Sequence, residues 1–303
     1  MDTVPVEVWG EGKPVILIHG SGAPAPISEM WARQRPLAER YRLIIVTRRG
    51  YGDRPVVMQT DVEGDTQDVL SLLDEGARAT NGSESAEARL RQAAETRERG
   101  AAERDWLRPA RPSGSGEAAA VGGGAHLVGF SYGGIVAMVA AARRPELVRS
   151  LTVIEPPALK VAFGHPAADG QIERLSRFEP PPLGKTPEEF WADFRRLMGQ
   201  SVPEHIKLSP IERKAVEAHM AEAPPWTIDI PLDTLAATAF PKLVFSGDWN
   251  PAMNAVADVI TERLSAERCV LKGWYHNIHR AGEPFNQRLD AFLQLSDAAV
   301  KER

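Results

Sequence analysis

The arrangement best suited to chemistry is Gly129-Phe130-Ser131-Tyr132-Gly133, between the apolar run Ala125-His126-Leu127-Val128 and an Ala-rich stretch over 133–143. The pentapeptide pattern G-x-S-x-G is common by chance. Directly between a strand and a helix, however, its glycines permit a sharp turn that presents Ser131 Oγ at the carboxyl end of a sheet. The N–H of Tyr132, opening the next helix, then points at the same spot and can stabilise an oxyanion. Serine is a weak nucleophile at neutral pH and needs an adjacent base. The base needs an acceptor on its other ring nitrogen to hold the tautomer and stabilise the imidazolium. The chemistry on offer is acyl transfer through a serine.

The rest of the chain supplies the elements for such a turn. Val15-Ile16-Leu17-Ile18 and Leu43-Ile44-Ile45-Val46 are continuous apolar, β-branched runs, as expected of strands buried on both faces. A helical stretch at about 27–40 separates them, which makes a βαβ unit. The rhythm returns with strands at 125–129, 150–154, 243–245 and around 269–271, and with helices at 133–143, 251–264 and 284–295. In the last helix Phe285, Leu289 and Phe292 form one core-facing stripe. The expected fold class is α/β with a mostly parallel central sheet flanked by helices.

Two segments interrupt the rhythm. Residues 76–124 hold four large apolar residues among 49, with eight arginines and seven acidic residues. Glu87/Arg91 and Glu95/Arg99 favour a solvated helix at 84–107 between linker-like flanks. This reads as a polar, partly helical surface insertion, or as an arm for a protein partner. Residues 156–235 form a helical lid in this reading, with the core at 1–155 and 236–303. Within the lid, Thr186-Pro187-Glu188-Glu189 and Ser209-Pro210-Ile211-Glu212 are capping boxes with proline first, so helices of about 13 residues start at Pro187 and Pro210. On the first, Phe190, Phe194 and Leu197 make one stripe and Trp191 and Met198 another, so that one can pack on the core while the other faces a cavity.

Composition narrows the partners. The 303 residues carry 36 Lys+Arg against 41 Asp+Glu, a net charge of −5, without the basic footprint that nucleic acid demands. A single cysteine, Cys269, excludes an intrachain disulfide and a cysteine-based zinc site. No run reaches 18 apolar residues, and Met1-Asp2-Thr3-Val4-Pro5 is unlike a signal peptide, so a cytoplasmic protein without membrane partners is expected. Neither a metal nor another cofactor is expected, and oligomeric state leaves no trace in the sequence.

These motifs together resemble an α/β-hydrolase fold protein over nearly the whole chain. The resemblance implies that His19-Gly20-Ser21-Gly22 holds a second oxyanion donor, the Ser21 N–H beside that of Tyr132, with His19 structural. It implies that the His loop is Gly273-Trp274-Tyr275-His276, with His276 the base and His279 the less favoured alternative. A serine at the elbow departs from the haloalkane dehalogenases and epoxide hydrolases, which attack with a carboxylate. The family's usual acid position falls on Asn250 of Gly247-Asp248-Trp249-Asn250-Pro251, where asparagine can cap a helix but cannot offset an imidazolium. Two carboxylates remain. Glu155, at a strand end closed by Pro156-Pro157, resembles the acid site of some members of the fold, and Asp248 is the runner-up.

The expected function is a serine hydrolase that cleaves a small carboxylic ester, lactone or thioester through an acyl-enzyme on Ser131. Lid aromatics (Phe163, Phe178, Phe190, Trp191, Phe194 and Trp226) point to a small-molecule substrate with an apolar or aromatic part, and Trp191, Phe194 and Trp226 are the expected contacts. C–C bond or amide hydrolysis would use the same residues. A ligand receptor without turnover is the alternative from another class, and it turns on whether a carboxylate reaches His276.

Overall fold

The computed structural model describes residues 3–22, 26–55, 61–75, 124–177, 184–197 and 201–301. Its centre is a seven-stranded sheet of β1 (Val6–Trp9), β2 (Lys13–Ile18), β3 (Tyr41–Val46), β4 (Ala125–Phe130), β5 (Val148–Ile154), β6 (Lys242–Ser246) and β7 (Glu267–Val270). The spatial order is β1-β3-β2-β4-β5-β6-β7. Only β1 runs antiparallel, at the edge beside β3. The other pairings are parallel. Residues 15–18 and 43–46 are buried, as both-face coverage of parallel strands requires.

From β2 the chain steps outward to β3, then returns to place β4 on the opposite side of β2. That reversal opens a crevice at the carboxyl ends of β2 and β4, the usual position of a ligand site in an open α/β sheet. Helix α1 covers residues 62–75, and α2 (Tyr132–Arg143) leaves β4 through Ser131. Between β5 and β6 come α3 (Pro166–Ser176), α4 (Pro187–Leu197), α5 (Pro210–Met220) and α6 (Leu232–Ala236). Helices α7 (Pro251–Leu264) and α8 (Glu283–Lys301) complete the chain.

Local sequence explains the helix starts. Ser209 Oγ accepts from the Glu212 N–H while Glu212 Oε2 accepts from the Ser209 N–H, and Pro210 stands at the first helical position of α5. Thr186 and Glu189 close the same reciprocal pair at α4. The stretch expected as a helix near 27–40 instead winds as 3-10 turns over Ile27–Glu39, with Pro36 inside. Pro36 lacks an N–H and its ring opposes the carbonyl four residues back, which disfavours an α-helix there. The solvated helix expected at 84–107 lies outside the described residues, as do Phe178 and Met198.

Helix α8 packs Phe285, Leu289, Phe292 and Leu293 fully into the core, and Phe285 meets Phe245 of β6 at 4.5 Å between ring centroids. Its far end is tied down electrostatically. Asp297 takes Lys13 Nζ at 2.7 Å and Arg149 Nη1 at 2.9 Å, with His126 Nε2 at 3.3 Å. Burial alone would raise the Asp297 carboxyl, but His126 and Lys13 outweigh it and hold the group well below the usual carboxylate range. A carboxyl depressed in the fold contributes stability above its unfolded value of about 3.9, and loses it as pH falls further. Asp297→Asn should therefore cost about 2 kcal/mol at pH 7. Chemical denaturation should show that gap holding down to about pH 4 and narrowing below it.

Candidate active site

Three neighbouring strands end in register, and the first two deliver Ser131 and Glu155 to one edge of the sheet. Phe130 pairs with Ile154 and Ile154 with Phe245. Beyond those rungs the Ser131 N–H donates to Ile154 O (2.8 Å) and the Glu155 N–H to Phe245 O (3.1 Å). Of the described non-glycine residues, five have positive φ. Ser265 merely ends α7 in the left-handed conformation. The other four, Ser131 (52°), Glu155 (48°), Asp248 (52°) and Tyr275 (48°), surround this edge. Such backbone costs about 1–3 kcal/mol per residue and tends to collect at functional sites.

At Ser131 φ is 52° and ψ −123°, the sharp turn that lifts its side chain off the sheet. The flanking glycines permit it by close approach. A Cβ on Gly129 would lie 2.2 Å from Gly133 O, and one on Gly133 would lie 2.2 Å from Ile18 O. The loop after β2 passes as closely, since a Cβ on Gly20 would lie 2.7 Å from Ser131 Cβ. Ser21 therefore sits beside the nucleophile candidate, opposite the amino end of α2, whose first residue is Tyr132.

The two carboxylates have different surroundings. Glu155 is 1% exposed. Its Oε1 accepts from the Gly247 N–H (2.7 Å) and its Oε2 from Trp249 Nε1 (2.9 Å). His276 Nδ1 lies 3.4 Å from the same Oε2, the long end for a hydrogen bond and a distance that shortens as charge builds on an imidazole. Asp248 instead meets Lys272 Nζ at 2.7 Å and Asn254 Nδ2 at 2.7 Å on the surface. Lys272 and Asn254 hold its carboxyl below the usual range. Asn250 Oδ1 caps α7, accepting from the N–H groups of Ala252 (2.8 Å) and Met253 (3.3 Å).

The other histidines near the site are held neutral. Burial first, then the positive charge of Arg48, lowers His19 to about 3. Its Nε2 lies 3.1 Å from the Arg48 N–H and its Nδ1 2.7 Å from Gly20 O. Neutral imidazole between those two groups accepts at Nε2 and donates from Nδ1. His279, lowered to about 3 by burial and then by Arg280, packs 4.2 Å from Phe130 and 5.3 Å from Trp31, centroid to centroid.

Ser131, Ser21 and His276 share a cavity of about 870 Å³, roomy for a small organic ligand. Its far wall comes from the segment between β5 and β6, including Trp191, Phe194 and Trp226. The two stripes of α4 do not divide between core and cavity, because Phe190, Trp191 and Phe194 all line this space. Phe190 and Phe194 both stand T-shaped to the His219 ring, at 5.2 and 4.6 Å between centroids. Trp191 lies over Gly22, its ring carbons 3.1 and 3.2 Å from where a Cβ would stand. Phe163, expected among the cavity aromatics, is 78% exposed. It follows a short 3-10 turn, Leu159–Ala162, which buries Leu159 and Ala162 and leaves Phe163 outside.

Trp249, Arg48, Tyr51 and Glu222 also belong to this region, though no motif marks them. The nearest sequence signals were the Asp248-Trp249-Asn250-Pro251 turn and the Arg48-Arg49-Gly50 end of β3. Chemically, the assembly offers a strained serine, a histidine backed by a buried carboxylate, and N–H groups from a helix start and a glycine-rich loop around one apolar cavity.

A strand-order reversal, a strained serine between β4 and α2, and an all-but-one parallel sheet are the marks of the alpha/beta hydrolase family. The sequence profile of that family matches residues 15–294, and the chain belongs to it. Among solved structures, an alpha/beta hydrolase from Sphaerobacter thermophilus is similar at 20% identity and a TM-score of 0.59, covering 95% of each chain. A carboxylesterase of the ammonia-oxidizing Thaumarchaeon Nitrososphaera gargenis is similar at 17% identity and a TM-score of 0.60, covering 98% of this chain and 96% of its own. The enol-lactonase from Burkholderia xenovorans LB400 is similar at 16% identity and a TM-score of 0.54, over 96% of each chain. No curated protein matches the sequence. No helix among the described residues is long and apolar enough to cross a membrane.

Proposed function

We propose that this protein is a serine hydrolase of small carboxylic esters or lactones with an apolar or aromatic part. The observation that carries the reading is the buried Glu155 carboxylate on His276 Nδ1 beside the cavity lined by Ser131. A receptor without turnover has no use for that pair. A carboxylate on Nδ1 leaves Nε2 free to take a proton, and it offsets the imidazolium that results.

In this mechanism Ser131 Oγ attacks the substrate carbonyl carbon as His276 Nε2 removes the hydroxyl proton. The carbonyl oxygen becomes an oxyanion held by the N–H groups of Ser21 and Tyr132, the latter reinforced by the positive end of α2. The C–O bond to the leaving group breaks, and the imidazolium returns its proton to the departing alkoxide. Water, deprotonated by the same imidazole, then attacks the acyl-enzyme and releases the acid and Ser131. The helical segment between β5 and β6 acts as a lid whose aromatics hold the apolar part of the substrate.

The test is a panel of chromogenic esters of graded acyl length, with lactones, on wild type and Ser131→Ala. Turnover that disappears with the Ser131 hydroxyl supports the reading. An inert wild type would favour a receptor, and activity confined to amides or diketones would move the reaction class. On the best substrates, Trp191→Ala should change the preference between short and long acyl chains severalfold while thermal denaturation shifts only slightly. A sharp drop in Tm with preference unchanged would make Trp191 a packing residue.

A further inference from the structure

Beneath the loop after β2 lies a guanidinium that joins that loop, the lid and the first residue of α2. Arg48, 1% exposed, directs Nε to Asp65 Oδ2 at 2.8 Å, Nη2 to Glu222 Oε1 at 2.7 Å and Nη1 to His19 O at 3.5 Å. Its guanidinium carbon stands 4.3 Å from the centroid of the Tyr132 ring. Glu222, just beyond α5, is the only one of these partners that comes from the lid. Its Oε1 also accepts from Tyr51 Oη at 2.8 Å, and Tyr51 Oη accepts from the Gly22 N–H at 3.1 Å.

The backbone consequence is specific. In the loop His19-Gly20-Ser21-Gly22, the His19 carbonyl is held by Arg48, the Gly20 carbonyl by the His19 ring, and the Gly22 N–H by Tyr51. The N–H of Ser21 lies between these pins. Stability does not explain the Glu222 link, because Arg48 without Glu222 keeps its buried partner Asp65. A buried ion pair is in any case weak evidence of stabilisation. What Glu222 adds is a connection between lid and loop.

We propose that Glu222 and Tyr51 are positioning residues through which the seated lid fixes the backbone of the Ser21 loop in its oxyanion-binding geometry. With Glu222 in place, the Tyr51 hydroxyl donates to the carboxylate and its lone pair is aimed at the Gly22 N–H. With the lid displaced, the hydroxyl loses that acceptor, rotates freely and releases the loop. Lid closure and oxyanion stabilisation thus become one event, so that the strongest electrostatic help is assembled only around an enclosed substrate. This inference rests on the serine hydrolase reading.

The experiment compares wild type, Tyr51→Phe, Glu222→Ala, Glu222→Gln and the double variant Tyr51→Phe/Glu222→Ala. Their kcat and KM are measured on the best ester, with the Ki of a trifluoromethyl ketone matched to its acyl group, which binds as an oxyanionic hemiketal. Tyr51→Phe and Glu222→Ala should each lower kcat about tenfold with KM within about twofold, and raise Ki in parallel, since the lost contact acts in the transition state. Glu222→Gln, which keeps an acceptor for Tyr51, should restore most of the loss. The double variant should be no worse than the poorer single one, as expected of residues in one chain of contacts. Unchanged kcat and Ki, a loss carried by KM alone, or additive losses would each overturn the proposal. Should Tyr51→Phe not fold, the Glu222 pair carries the same test. A wild type that neither hydrolyses esters nor binds the ketone removes the hydrolase reading itself, whereas an active wild type with indifferent variants removes only this inference.

Discussion

Ser131→Ala should reduce ester turnover by on the order of 10⁶, the scale on which a working serine triad loses its nucleophile. The same change should abolish labelling by a fluorophosphonate, which phosphonylates an activated serine and leaves a mass increment on the intact protein. One adduct is expected on wild type. Among the described serines, Ser131 alone combines a strained turn, the amino end of α2 and the approach of the Ser21 loop. Alanine tolerates the same backbone as serine, and the hydroxyl supports no packing, so Tm should barely move. An adduct that persists in the variant would place the nucleophile elsewhere.

Glu155→Gln should cost about 10⁴ in kcat, the figure for the equivalent Asp→Asn change in a serine triad. The Glu155 carboxylate faces three N–H groups, from Gly247, Trp249 and His276. An amide offers only one oxygen to this ring of donors. With that oxygen on Gly247, its NH₂ faces Trp249 and His276, and His276 can satisfy it only by carrying its proton on Nε2. That tautomer cannot take a proton from Ser131. Asp248→Asn, made in parallel, should stay within about threefold of wild type, because Asp248 is spent on Lys272 and Asn254. Steady-state kinetics with a Tm for each variant decides the matter, and a large loss in Asp248→Asn with a small one in Glu155→Gln would exchange their roles.

What could be read in the chain and what could not separate along physical lines. Ser131 was legible because its turn is local, five residues whose glycines make no sense except as close packing. The buried strands around residues 15–18 and 43–46 were legible through their unbroken β-branched runs, and the starts of α4 and α5 through reciprocal caps. Edge strand β1 was not, for its four residues alternate only weakly between buried and exposed. Glu155 was preferred to Asp248 only through a resemblance, since burial of a carboxylate against His276, 121 residues away for Glu155, leaves no local mark. Trp249 and the Arg48–Glu222 contact, which spans 174 residues, were invisible for the same reason. The stretch expected to be helical at 27–40 is helical, but it winds as 3-10 turns around Pro36 where a βαβ unit would carry an α-helix.

The segment between β5 and β6 leaves the sheet at the carboxyl end of β5 and re-enters it at the amino end of its parallel neighbour β6, where Lys242 stands opposite Leu151. Both of its ends are anchored in neighbouring strands, whatever lies between them, and a longer or shorter chain between those anchors costs little. Such a segment can be grafted. A donor sequence from another member of the family could replace it without disturbing Ser131, Glu155 or the strands that hold them. The graft would nevertheless have one requirement that shape alone does not reveal: it must bring an oxygen to the place of Glu222 Oε1, or Tyr51 would be left without its acceptor.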